Sequence, residues 1–169
     1  MEAAKIVLLS IIATTVYGIV HCLTSAHLCV EYFTVLPSNP YAMTSPLALG
    51  VVWGIVGFWW IGLVLGLLVA AAARCGRRPP RTALSLIQPL AKHFILTGIF
   101  GVLSGIVGYA YGVVGFVRLL PHLANQIEYG RHVEVIACLW SHRVAYLFQF
   151  VGATVLMFAI WRSRRKKIA

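Results

Sequence analysis

Long apolar stretches alternate with short polar ones along the whole chain, and this pattern predicts four membrane-spanning helices. The apolar stretches cover approximately residues 6–27, 46–73, 90–117 and 139–161. Each is long enough to cross a bilayer, which takes roughly 20 residues of α-helix. The polar stretch before the fourth span predicts an interfacial helix that starts at about Glu128 and bends near Gly130. The expected fold is therefore an all-α, polytopic four-helix bundle with short loops, formed by a single domain over residues 1–169.

The third apolar stretch carries six glycines at alternating steps of three and four residues. On a helix this spacing places all six on one face, over about 26 Å of its length. A face without side chains lets a second helix approach closely, and close packing is what holds helices together in lipid. The six positions that predict this contact are Gly98, Gly101, Gly105, Gly108, Gly112 and Gly115.

The second apolar stretch repeats the small-residue pattern with two Gly-x-x-x-Gly pairs. These pairs make the second span the expected packing partner of the third span. The four glycines concerned are Gly50, Gly54, Gly62 and Gly66.

The composition agrees with a polytopic membrane protein. Hydrophobic residues make up 60% of the 169 residues, charged residues make up 11%, and the mean hydropathy is +0.88. A soluble surface needs a much larger charged fraction. The net charge of +10 comes mainly from two short basic clusters beside apolar stretches, which suits contact with lipid headgroups better than nucleic-acid binding.

The distribution of Lys and Arg predicts the orientation of the four spans. Eleven of them fall on the side that holds both termini and the turn at residues 74–81, and three fall on the other side. By the positive-inside rule both termini are expected in the cytoplasm. The expected location is a bacterial inner membrane.

Most of the residues that could carry chemistry collect on the opposite, outer side. Glu134, Cys138 and His142 follow one another at four-residue steps, and carboxylate, thiolate and imidazole are all metal-ligand types. His21 lies inside the first span and predicts either a packing histidine or, together with His142, a pair of axial ligands for a b-type haem. The alternative for the whole set is a polar helix face in contact with water and headgroups. The candidate metal or haem ligands are His21, His27, Cys29, His132, Glu134, Cys138 and His142.

Two other features leave alternatives open. Cys29 and Cys138 could link the two outer loops through a disulfide, but no Cys-x-x-Cys motif of a thiol oxidoreductase is present. Trp59 and Trp60 lie in the middle of the second span, where they would contact a flat cofactor such as a pigment or quinone, a partner subunit, or neighbouring helices and lipid.

The sequence contains no phosphate-binding loop, nucleophile elbow or zinc-protease motif, so an enzyme is not the first expectation. We expect a small accessory subunit or assembly partner of a larger membrane complex, in contact with lipid and with other membrane subunits. The alternative is a redox, metal-binding or haem-binding membrane protein that uses the outer His/Cys/Glu set. A small transporter is a third possibility, although no Asp, Glu, Lys or Arg lies in the middle of any span.

Overall fold

The structure is a computed structural model that describes residues 1–36 and 42–164. The described residues form helices and turns, and four helices are long and apolar enough to cross a membrane. These are α1 (Glu2–Leu28), α3 (Pro46–Arg74), α4 (Ile87–Val113) and α6 (His132–Ser163). Two short helices, α2 (Glu31–Val35) and α5 (Pro121–Ala124), lie in the connections. The prediction of an all-α bundle of four spanning helices is confirmed.

Individual residues explain where two of the spanning helices begin or end. α3 begins with Pro46, whose missing N–H is not needed in the first turn. α4 ends at Val113, four residues before the predicted end, because Gly115 adopts a φ of +71° that only glycine takes readily. Gly115 therefore lies in the turn after α4 and not on the helix face. The predicted bend near Gly130 lies at a 3-10 turn, Tyr129–Arg131, and α6 runs on from it without a break to Ser163.

The bundle consists of two tightly packed helix pairs. α3 packs along α1, and α4 packs along α6. A smaller contact between α3 and α6 joins the pairs, while α1 and α4 touch over a short length only. The bundle is consequently closed on its α3–α6 side and open on its α1–α4 side.

The glycines of α3 contact α1 and not α4. A Cβ atom added to Gly54 would lie 2.4 Å from the Cα atom of Ile19, and one added to Gly62 would lie 2.7 Å from the Cα atom of Ile11. The predicted pairing of the second span with the third is therefore wrong. The physical reason is that α1 also offers a stripe of small side chains, which lets its backbone reach the α3 glycines. The buried members of that stripe are Ser10, Thr14, Gly18, Cys22 and Ala26.

The glycines of α4 meet α6 instead. A Cβ atom on Gly108 would lie 2.7 Å from the Trp140 ring, and one on Gly105 would lie 3.4 Å from the carbonyl oxygen of Ala137. Gly101 and Gly112 also face α6, whereas Gly98 faces α1. Packing at the α4–α6 contact is accompanied by polar contacts, since the hydroxyl of Ser104 donates to the carbonyl oxygen of Trp140 at 2.9 Å.

Both described chain ends and the arginine-rich turn lie at one end of the bundle, which we call the basic end. The buried guanidinium of Arg164 donates to four carbonyl oxygens at 2.7–2.9 Å. The backbone N–H of Ala83 donates to Glu2 at 3.2 Å, which attaches the start of α1 to the same turn. The carbonyl oxygens that accept the Arg164 hydrogen bonds belong to Ala72, Cys75, Arg78 and Pro79. The opposite end of the bundle holds α2 and α5, and we call it the loop end.

Candidate functional site

An ion-pair cluster holds α1, α2 and α6 together at the loop end. The Arg131 guanidinium contacts Glu31 at 3.1 Å and Glu134 at 3.4 Å, and it also donates to the carbonyl oxygen of Leu28 at 2.8 Å. Burial by itself would raise the pKa of the Glu31 carboxyl, but hydrogen bonds from its backbone N–H and from Arg131 outweigh burial and lower that pKa. Glu134, one of the predicted ligands, thus has Arg131 as the partner of one of its carboxylate oxygens.

Two cysteines from different elements meet beneath this cluster. Cys29 follows α1 and Cys138 lies in α6, and both are buried in one small hydrophobic cluster with Ile127 and Val135. The hydrogen bond with Cys138 and burial raise the pKa of the Cys29 thiol, so Cys29 is protonated at neutral pH. The Cys29 thiol also donates to the Glu31 carboxylate at 3.2 Å. The structure thus brings together two of the predicted residues as free thiols.

His21 and His142 are also in contact, in a geometry that does not fit a haem. Their ring centroids are 4.3 Å apart, with the ring planes at 68°. Two imidazole nitrogens on opposite sides of one metal would alone be about 4 Å apart at metal–nitrogen distances of about 2 Å. Their ring centres would be farther apart still, and a macrocycle would have to lie between them. In addition, His142 bonds the hydroxyl of Ser25 at 3.1 Å and stacks on Tyr32.

The remaining predicted ligands point elsewhere. The His27 ring bonds the carbonyl oxygen of Leu23 in its own helix at 2.8 Å, and the His132 ring bonds the carbonyl oxygen of Ile127 at 3.0 Å. In residues 1–36 and 42–164, no group of three or more His, Cys, Asp and Glu side chains is arranged to hold a metal ion. The geometry therefore lends no support to a metal centre formed by the predicted set.

The site that the structure does form is a pocket between α1, α4 and α6 in the half of the bundle toward the loop end. Its volume is about 420 Å³, and it opens sideways between α1 and α4. His21, Glu134 and Cys138 from the predicted set line it, and so do Gly98 and Gly105 from the glycine face. The other polar lining residues are not among the candidate ligands predicted from the sequence; they are Tyr17, Thr24, Ser25, Tyr109 and Ser141.

Three buried polar atoms on residues that line this pocket have no hydrogen-bond partner within residues 1–36 and 42–164. They are the Tyr17 hydroxyl, Nε2 of His21 and one carboxylate oxygen of Glu134. Tyr17 and His21 are one helical turn apart in α1, with their rings stacked at 5.7 Å. The four-residue spacing of Tyr17 and His21 was visible in the sequence and predicts a shared helix face. What the sequence did not show is that this face lies beside a pocket between α1, α4 and α6.

The two mid-span tryptophans lie on the outer surface of α3. Trp59 is 48% exposed and Trp60 is 45% exposed. Neither contributes to the pocket between α1, α4 and α6. Both rings therefore lie where a molecule outside this chain would contact them.

These features define the class: the chain is an integral-membrane protein with a four-helix bundle and a pocket between α1, α4 and α6. No family model, no curated protein and no solved structure matches the chain.

Proposed function

We propose that this protein is a small, non-enzymatic subunit of a larger membrane complex, and that the outer surface of α3 contacts the partner. The observation that carries this proposal is the exposure of Trp59 and Trp60 at the midpoint of a 29-residue spanning helix. Their indole N–H groups have no hydrogen-bond partner among the residues described.

The bilayer core is an unfavourable place for an exposed indole N–H. Tryptophan in membrane proteins favours the headgroup region, where its N–H meets water or lipid oxygen atoms. Trp60 lies 15 residues into α3, about 21 Å from its start at 1.5 Å per residue, and neither acceptor is present at that depth. A partner helix that offers a hydroxyl or carbonyl oxygen would satisfy both N–H groups and bury two large rings. The partner is therefore a membrane-spanning protein and not a soluble one.

Photocrosslinking in intact membranes tests this contact. A photoreactive phenylalanine analogue at position 60 should give one defined adduct with another membrane protein, while the same analogue at position 158 should not. Phe158 is a matched control because it is 58% exposed and lies on a different spanning helix, α6. The Trp59→Leu, Trp60→Leu double variant should lose the complex on gentle detergent extraction and keep its thermal stability.

Several outcomes would contradict the proposal. These are adducts with lipid alone, adducts with a second copy of this chain, or equal labelling from positions 60 and 158. A wild-type protein that leaves its native membrane as a stable monomer would contradict it as well.

A thiol-redox role is the second candidate, and the contact between Cys29 and Cys138 is the observation that favours it. In a thiol–disulfide exchange the two thiols would form a disulfide and pass two electrons and two protons to a partner disulfide, which becomes a dithiol. The test is whether the Cys29→Ser, Cys138→Ser variant loses function in the native host while its complex still assembles. The small-transporter alternative gains no such observation, since Arg164 at the basic end is the sole charged side chain among the buried residues of the described part.

We also propose that the basic end faces the cytoplasm of a bacterial cell, with the protein in the inner membrane. The support is the sequence count of eleven Lys and Arg residues on that side against three on the other. A reporter that is active only in the periplasm should be inactive when fused after residue 169 and active when inserted after residue 125. The reverse pattern would overturn the orientation.

A further inference from the structure

The two thiols at the loop end meet at one carbonyl group of α1. The carbonyl oxygen of Ser25 accepts the backbone N–H of Cys29 at 2.8 Å, and the Cys138 thiol donates to the same oxygen at 3.8 Å. Both cysteines belong to one buried cluster, in which their side chains contact each other. The turn after α1 and the first part of α6 thus place two sulfur atoms where an intramolecular disulfide can form.

The two cysteines differ in how a reagent can reach them. Cys138 lines the pocket between α1, α4 and α6 and is 4% exposed, whereas Cys29 is 0% exposed and lies outside that lining. A folded protein cannot bring its own disulfide to thiols buried to this extent. A low-molecular-weight disulfide can enter a pocket of about 420 Å³, which is the size of small-molecule sites in proteins. Cys138 is the thiol that such a molecule meets first.

The more deeply buried thiol has a carboxylate beside it. Cys29 donates to one oxygen of Glu31 at 3.2 Å, and Arg131 contacts the two Glu31 oxygens at 3.1 and 3.4 Å, which fixes the carboxylate in place. The Glu31 side chain is 26% exposed, so a proton that it receives can pass to water. A protonated thiol is a poor nucleophile, and a carboxylate at hydrogen-bond distance can remove its proton.

The other polar and charged groups around Cys29 also bear on its proton. The backbone N–H of Tyr32 donates to the Cys29 sulfur and Arg131 carries a positive charge nearby, so both stabilise the thiolate once the proton has left. Glu134 bonds Arg131. The contact with Cys138 and burial raise the pKa of the Cys29 thiol, so it stays protonated at neutral pH until a base acts on it.

We propose that this pair is oxidised in a fixed order by a low-molecular-weight disulfide, and that Glu31 is the base for the second step. Cys138 attacks one sulfur of the oxidant, forms a mixed disulfide and releases one small thiol, which carries away the Cys138 proton. Glu31 then accepts the Cys29 proton while the Cys29 sulfur attacks the Cys138 sulfur. The second small thiolate leaves and is protonated from water, which regains the proton from Glu31.

The overall reaction is balanced. The protein loses two electrons and two protons and gains one disulfide, and the oxidant gains both and becomes two thiols. The proposal rests on the thiol-redox candidate and narrows its oxidant to a small molecule.

The test uses dipyridyl disulfide, a small lipid-soluble disulfide that releases a coloured thiopyridone at each step. The protein is held in phosphatidylcholine nanodiscs, with Cys22→Ala and Cys75→Ala so that two thiols remain. The second release should keep a constant rate from about pH 5.5 to about pH 8. The reason is that the pKa of the Glu31 carboxyl lies below its ordinary value of 4.5 and the pKa of the Cys29 thiol lies above its ordinary value of 9.0. Base and protonated thiol therefore coexist over the whole range.

Two variants of similar size separate the base from the ion pairs around it. Glu31→Gln should slow the second release about a hundredfold at pH 5.5, and the rate should then rise about tenfold per pH unit, because only the thiolate can attack. Glu134→Gln is the matched control: it also removes a carboxylate from Arg131 but leaves the acceptor of the Cys29 proton in place. It should keep the constant rate.

Single-thiol variants test the order of attack. In the same background, the Cys138→Ser variant should react with dipyridyl disulfide at least about tenfold more slowly than the Cys29→Ser variant, because its remaining thiol lies outside the pocket lining.

The outcomes separate this proposal from the redox role on which it rests. Three results would overturn the proposal alone, since the disulfide still forms: a Glu31→Gln variant with the original rate and pH profile, an equal reaction of the two single-thiol variants, or a rate that rises tenfold per pH unit in the protein with Glu31 intact. The last of these needs no substitution at Glu31 and decides even if Glu31→Gln does not fold. Peptide mapping that finds separate mixed disulfides on Cys29 and Cys138, with no bond between them, would overturn both the proposal and the thiol-redox candidate.

Discussion

Replacement of Gly54 by alanine should destabilise the bundle, whereas the same replacement at Gly98 should not. A Cβ atom on Gly54 would lie 2.4 Å from the Cα atom of Ile19 and 2.6 Å from its backbone nitrogen. These are backbone atoms of α1, which cannot rotate away as a side chain can. The two helices would have to separate locally by about 1 Å, enough to lose a quarter to a half of the dispersion energy of the contacts along the seam.

The magnitude follows from two opposing effects. Overpacking of a well-packed contact costs about 1–3 kcal/mol. Alanine in place of glycine favours a helix by about 1 kcal/mol in water. That gain largely cancels here, because an isolated span stays helical in lipid when the bundle comes apart. For Gly54→Ala we therefore expect a loss of about 1–3 kcal/mol. For Gly98→Ala, where the new Cβ atom meets only the Tyr17 ring at 3.7 Å, we expect a change near zero.

The assay is reversible unfolding in mixed micelles of mild detergent and dodecyl sulfate, followed by the separation of a fluorophore pair on α1 and α3. Both variants add one methyl group to a glycine of a spanning helix, so the comparison isolates the contact. If Gly98→Ala lost as much stability as Gly54→Ala, or if neither variant lost any, the close approach of α3 to the α1 backbone would be refuted.

Three further predictions concern the polar contacts at the two ends. Arg164→Ala should cost about 1–3 kcal/mol because four carbonyl oxygens lose the donor that the guanidinium supplies. Thermal unfolding of this variant and of Arg164→Lys measures the loss, and an unchanged stability in both variants would contradict the prediction. The lowered pKa of Glu31 predicts that its contribution to stability is fully present above the ordinary pKa of 4.5 and is lost as the pH falls below that value. Melting temperatures between pH 7 and pH 3 should show this loss, and Glu31→Gln or Arg131→Ala should flatten it; an unchanged profile in both variants would contradict it. Mild oxidation should link Cys29 to Cys138, as peptide mapping would reveal, and recovery of both as free thiols after oxidation would count against their contact.

The outer His/Cys/Glu set shows how far residue type and spacing can predict a site. Four-residue spacing correctly put Cys138 and His142 on one face of α6, and both are buried there. Spacing could not show that His142 stacks on Tyr32, or that Arg131 occupies one oxygen of Glu134. Those partners come from other elements of the chain, and their choice depends on how the elements pack.

The sequence by itself determined the four spanning helices, because the length and apolarity of a segment are local properties, and they alone decide whether a helix can cross the hydrocarbon core of a bilayer. It also determined that α3 and α4 each have a bare glycine face. Only the tertiary structure decided which helix covers each face, since a glycine face by itself does not select one partner helix: α1 covers the face of α3, and α6 covers most of the face of α4. The same choice of partners left α1 and α4 apart. The pocket between them, with the unpaired groups of Tyr17 and His21, is therefore a product of helix pairing that no single segment encodes.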